Sequence, residues 1–145
     1  MKSAPLKQAK LTHTKTGEVT TIEFEDLLYM ALNDLSTMAT DNARAKGFTA
    51  RTMKARVKAI PEKLVLMHSE ISEALEEYRD GHGPKEIYFN EAKPDKPEGI
   101  PIEIAALIIR ALNLCGELDI DIGSAVKLKM KYNSTRPFKH GGKRI

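Results

Sequence analysis

The chain has 145 residues, 41% of them hydrophobic and 30% charged, with 23 Lys and Arg against 20 Asp and Glu. That size and balance fit one soluble globular domain with a real core, and a net charge of +3 is too small to argue by itself for a nucleic-acid partner. No apolar run reaches the roughly 18 residues of a membrane span, the N-terminal MKSAPLKQAK has no apolar signal core, and the single Cys115 excludes an internal disulfide, so a reducing, cytoplasmic setting is expected.

Residues 1–20 are polar, basic and rich in Thr and Lys. With Lys15, Thr16 and Gly17 as a turn they read as a short hairpin of residues 10–14 and 18–22, and equally as a flexible arm. From Phe24 to about Ala45, Phe24, Leu27, Leu28, Ala31, Leu32, Leu35, Met38 and Ala39 recur at three and four, which predicts a helix with one apolar face. Gly47 suits its end. The basic stretch 48–59 reads as a loop or a short helix.

Pro61 suits the first turn of a second helix, which stops at Asp80 before Gly81. Leu64, Met67, His68, Ile71, Leu75 and Tyr78 form its apolar stripe, with His68 a core or rim residue. Glu62, Glu70, Glu73 and Glu77 lie almost opposite and, taken alone, read as a solvated acidic face. Residues 81–98 hold Gly, Pro and charges and read as a long loop, in which residues 85–90 could pair as a short strand.

Ile100 to Leu118 is the stretch around which the rest is organised. Pro101 again sits in a first turn, and the sequence then runs apolar nearly all the way round, which predicts a buried helix. Its narrow polar strip is Glu103, Arg110, Asn113 and Glu117, all within about 80° at 100° per residue. Ala106 lies in the same strip, apolar where the pattern invites a polar residue. Asp119 or Asp121 can cap a last helix running to about Asn133. Ile122, Val126, Lys129, Met130 and Asn133 share a face there, which places Lys129 and Asn133 toward the core, and Arg136-Pro137 ends the helix. From Ile122 onward there are seven Lys or Arg and no acid. Four helices on short or medium loops imply an all-α, helical-bundle domain over residues 1–145.

Glu70 and Glu73, three apart, stand side by side on one helix. If that face meets the strip carrying Glu103, three carboxylates converge, and a divalent cation relieves their repulsion. An all-oxygen ligand set favours Mg²⁺ or Mn²⁺, with water and phosphate completing the shell. The basic C-terminal segment, with Lys129, Asn133, Arg136 and Lys143, then reads as a partner for those phosphates.

The ExxE of Glu70 and Glu73, the acidic motif starting at Glu103 and the K-x-x-x-N of Lys129 and Asn133 together resemble the MazG-like nucleotide pyrophosphohydrolases of the all-α nucleoside triphosphate pyrophosphatase superfamily. The likeness runs from about Pro61 to the C-terminus, in EKLVLMHSEISEALEEYRDG, GIPIEIAALIIRALNLCG and KMKYNSTRPFKHGGKRI. It implies a four-helix bundle and hydrolysis of a nucleoside triphosphate to monophosphate and pyrophosphate. Mg²⁺ would be held by Glu70, Glu73, Glu103 and the acid at the fourth motif position, with Arg110, Lys129, Asn133, Arg136 and Lys143 toward substrate. Family members are usually dimers or tetramers, which implies a homodimer or homotetramer here.

The chain departs from that pattern in two places. Ala106 stands where the second motif has its Asp, and Ser69 stands where many members carry a further acid. Losing a carboxylate ligand weakens metal binding and turnover. Three explanations stay open: Ala106 as an engineered substitution, a natural binder without catalysis, or Glu77 or Glu117 supplying the missing oxygen. A nucleotide-binding or sensing protein is therefore the alternative to a weakened enzyme. A nucleic-acid binder acting through the basic tail is a further one, for which no recognisable motif is present.

Overall fold

The computed structural model describes residues 8–12 and 15–138. It is mostly helical. Two strands, β1 (Gln8–Thr12) and β2 (Val19–Glu23), precede α1 (Phe24–Ala45), the short α2 (Met53–Lys58) and α3 (Ile60–Arg79). β3 (Tyr88–Asn90) and β4 (Lys93–Glu98) follow, then α4 (Ile100–Glu117) and α5 (Ile122–Ser134). Among the described residues no helix is long and apolar enough to cross a membrane.

Both hairpins are antiparallel. β1 pairs with β2 from Gln8 opposite Glu23 to Thr12 opposite Val19, so of the two readings of the N-terminal stretch the hairpin is the one observed, starting earlier than the expected residue 10. The segment expected as a long loop carries regular structure of its own. Tyr88 lies opposite Glu98 and Phe89 opposite Pro97, with the ladder interrupted before Asn90. Pro94 and Pro97 are tolerated because a two-stranded ribbon leaves every other N–H of β4 outside the ladder. The basic stretch after α1 forms the short helix α2, capped by the Thr52 side chain, which accepts from the Ala55 N–H.

The chain divides into two compact units, Met1–Asp34 with Asp121–Ile145, and Leu35–Ile120. In the first, Asp121 is the cap of α5. Its carboxylate accepts from the Ser124 N–H at 3.0 Å and from Asn33 Nδ2 at 2.8 Å, and those bonds hold its pKa down to about 2. Asn33 Oδ1 in turn accepts from the Gly123 N–H at 3.0 Å. Asp119, the other candidate cap, instead takes a left-handed turn at φ 55°.

In the second unit α1 meets α4 through small and polar groups. Ser36 Oγ donates to the Leu112 carbonyl at 2.7 Å, and Thr40 Oγ1 reaches the Ser36 carbonyl at 2.9 Å and the Asn113 carbonyl at 3.3 Å. Gly116 makes the approach possible, since a Cβ there would collide with Thr40 Oγ1 and press on Ser36.

The faces turned inward are not the ones the apolar pattern selects. On α1 the buried residues are Tyr29, Ser36 and Thr40, while Leu28, Leu35 and Met38 are exposed. On α3, beyond Ile60, the packed positions are Lys63, Met67, Ser69, Glu70, Ala74 and Glu77, all but Ser69 spaced at four, three, four and three. Glu70 is 4% exposed, whereas Leu64, His68, Ile71, Leu75 and Tyr78 all stay exposed and Val65 reaches 68%. The acidic face is therefore partly buried rather than solvated, and His68 is neither core nor rim. Nor is α4 buried all round. Ile104, Ile108 and Ile109 are exposed, and its buried residues are Glu103, Leu112, Leu114 and Glu117. α3 and α4 pack polar stripe against polar stripe, which leaves their apolar surface outside.

Candidate metal centre

The packing of α3 on α4 creates the site. Glu70 and Glu73 stand one turn apart on α3, and Glu103 sits in the first turn of α4, where the Gly99 carbonyl accepts its N–H at 3.2 Å. One oxygen from each of the three carboxylates lies within 4.8 Å of the others. Glu70 and Glu103 are buried, at 4% and 6% exposure, while Glu73 is exposed. Oxygens sharing an octahedral ion at about 2.1 Å stand roughly 3–4 Å apart, so small side-chain rotations would bring the three onto one cation. The donor set is all oxygen, which fits Mg²⁺ or Mn²⁺.

The charges around the cluster are only partly balanced. Arg110 Nε donates to Glu70 Oε1 at 2.5 Å. Lys96 on β4 donates to Glu98 at 3.2 Å and lies within electrostatic reach of Glu103 and Glu73. Burial, then the neighbouring charges of Glu73 and Glu70, push the Glu103 carboxyl above the usual carboxylate range, and Lys96 only partly opposes the rise. Two cations thus serve four acids, the three of the cluster and Glu98.

Neither Glu77 nor Glu117, the two residues considered as a source of a further oxygen, belongs to this cluster. Glu77 accepts from the Tyr88 hydroxyl with both oxygens at 3.2 Å, and His82 stacks on the Tyr88 ring with centroids 4.3 Å apart. That contact ties the second hairpin to the end of α3. Burial and Glu77 push the Tyr88 hydroxyl up to about 12. Glu117 is fully enclosed, and its Oε1 accepts from Lys63 Nζ at 2.9 Å and Thr49 Oγ1 at 3.1 Å. Ala106 occupies the strip between Glu103 and Arg110, on the wall of a cavity of about 480 Å³.

Of the residues expected at the site, Glu70, Glu73, Glu103 and Arg110 come together. Arg110, expected toward substrate, pairs with Glu70. Lys129 and Asn133 are exposed rather than turned to the core. Lys129 lies over the Tyr132 ring at 5.3 Å and Arg136 at 5.9 Å, in the unit formed with α5. Lys143 lies outside the described residues. Lys96, Lys63 and the Tyr88–Glu77 bond carried no sequence signal, because each depends on a fold-specific juxtaposition. No protein-family model, curated protein or solved structure matches the chain.

Proposed function

We propose that the chain is a Mg²⁺-dependent nucleoside triphosphate pyrophosphohydrolase of the MazG-like type, impaired by Ala106. The observation that carries this reading is the convergence of Glu70, Glu73 and Glu103, with two of the three carboxylates buried. Buried like charges persist only where something compensates them. Glu70, Glu73 and Glu103 hold the cation, and Glu103 fixes it against the first turn of α4. Mg²⁺ in such a site neutralises phosphate charge and makes a bound water nucleophilic at neutral pH. Ala106 leaves the site one carboxylate short, and Arg110 ties up an oxygen of Glu70. This same deficit supports the second reading, a nucleotide binder that does not turn over.

Glu73 gives the cleanest test, because it is exposed and its loss leaves the packing intact. Calorimetric titration of Mn²⁺ into the chain and into Glu73→Gln should show affinity falling at least about tenfold in the variant. Equal affinities would remove Glu73 from the site.

The reading also includes self-association into a bundle. Among the described residues only Tyr29, Leu112 and Leu114 are buried large apolar side chains, while Leu64, Val65, Ile71, Leu75, Ile104 and Ile108 are exposed on α3 and α4. Apolar surface on that scale marks an interface. Sedimentation equilibrium should give a multiple of 16.2 kDa, and a monomer at micromolar concentration would refute it.

A further inference from the structure

The second hairpin brings a lysine to the metal centre, and its sequence explains how that lysine is held there. Lys96 precedes Pro97, which restricts it to extended backbone. Strand alternation then puts Lys96 and Glu98 on one face of β4, and the Lys96 ammonium donates to Glu98 at 3.2 Å. Tyr88 lies opposite Glu98 on β3, and its hydroxyl bonds Glu77 on α3. After β4, Gly99 leads into α4 at φ 118°, where a Cβ would run into the Glu86 carbonyl. β4 is thereby fixed between the end of α3 and the start of α4, with Lys96 within electrostatic reach of Glu103 and Glu73.

The two cations at the cluster therefore differ in what they are free to do. Arg110 is held by a cluster acid, Glu70, at 2.5 Å. Lys96 is bonded outside the cluster, to Glu98, and its side chain is 52% exposed. An ammonium carries three N–H donors, and a partly exposed ion pair is cheap to exchange for another anion. Lys129 and Arg136, which the sequence suggests for phosphate, belong to the other compact unit.

We infer that Lys96 binds the phosphate of a metal-bound polyphosphate and makes the site selective for the metal–phosphate complex over the bare cation. The inference rests on the proposed metal chemistry of Glu70, Glu73 and Glu103 and adds the group that receives the anion. A fixed positive charge beside three carboxylates acts in opposite directions on the two ligands. It repels a divalent cation that arrives alone. It attracts the oxygens of a phosphate that completes the cation's shell, for which an ammonium is a compact point charge. Cation and phosphate then bind best together, and the acids are kept from filling with free Mg²⁺.

The test is calorimetry on the unaltered chain, Lys96→Met and Lys96→Glu, with folding checked by circular dichroism. Mn²⁺ alone should bind Lys96→Met about twofold or more tightly than it binds the unaltered chain. Inorganic tripolyphosphate, titrated in excess Mn²⁺, should bind the same variant at least about tenfold more weakly. Lys96→Glu should carry both trends further. Opposite signs separate this role from a structural one, since a loosened hairpin weakens both ligands together. Weaker binding of both ligands, or unchanged tripolyphosphate affinity in Lys96→Met, overturns the role of Lys96 and leaves the metal centre standing. So does an unaltered chain that binds Mn²⁺ but no tripolyphosphate. An unaltered chain that binds no Mn²⁺ removes the metal centre itself, and the role of Lys96 with it.

Discussion

Ala106→Asp should raise Mg²⁺-dependent pyrophosphate release by about two orders of magnitude or more on the preferred nucleoside triphosphate. The position lies one turn after Glu103 and one turn before Arg110, on the strip that α4 turns toward α3. An Asp there does two things at once. It adds a carboxylate oxygen to a cluster whose three present oxygens lie within 4.8 Å of one another. It also stands four residues before Arg110, the spacing at which Asp and Arg pair on a helix, and so competes for the guanidinium that now holds Glu70. Both effects give a bound cation more protein oxygens and a more fixed position. Misplacement of a reacting group by about 1 Å costs on the order of 10² in rate, and a missing ligand permits at least that. The measurement is pyrophosphate release across a nucleotide panel, with and without Mg²⁺, on both proteins. Brisk turnover with Ala106 in place would show that the cluster needs no fourth acid. Silence of Ala106→Asp on every nucleotide, with the nucleotides still bound, would favour the binder.

The helices themselves were legible in the sequence. Period and Pro61 and Pro101, with Gly47 after α1 and Gly81 after α3, set α1, α3 and α4 to within a residue or two, because local propensity and capping decide where a helix starts and stops. Which face turns inward was not legible, and α3 shows why. Periodicity assigns Leu64, Ile71, Leu75 and Tyr78 to the core on the assumption that a chain buries its own apolar surface. Here Glu70 and Glu77 turn inward instead, satisfied by Arg110 and Tyr88, and the leucines remain outside. The pattern records what the surface needs covered and is silent on what covers it. The acidic site follows the opposite logic. Glu70, Glu73 and Glu103 could be selected because i,i+3 spacing and a polar strip on an apolar helix are visible one helix at a time. The Glu117–Lys63 pair could not, since its partners are 54 residues apart and nothing local marks Lys63 as the partner of Glu117.

Glu103→Gln should separate the cost of the cluster from its use. In the folded chain the Glu103 carboxyl titrates above its unfolded value near 4.5, chiefly through burial and then through Glu73 and Glu70. The folded state therefore keeps a proton that the unfolded state has already lost over that window. Stability of the metal-free protein then falls as pH rises from about 4.5 through the raised value, and the full penalty is present at neutral pH. The amide of Gln carries no charge and still offers an N–H to Glu70, in place of the proton Glu103 shares with it when protonated. In chelator at pH 7.5, Glu103→Gln should melt at a higher temperature than the unaltered chain, and the fall of Tm above pH 4.5 should be shallower. With Mn²⁺ the order reverses. The unaltered chain gains stability by binding through three carboxylates, whereas the variant should lose at least about 10- to 100-fold in affinity, and with it most of the metal-induced rise in Tm. A variant less stable in chelator at every pH would mean that Glu103 serves the packing of α4 rather than a cation. Equal Mn²⁺-induced shifts in the two proteins would remove Glu103 from the metal centre even if its burial penalty were confirmed.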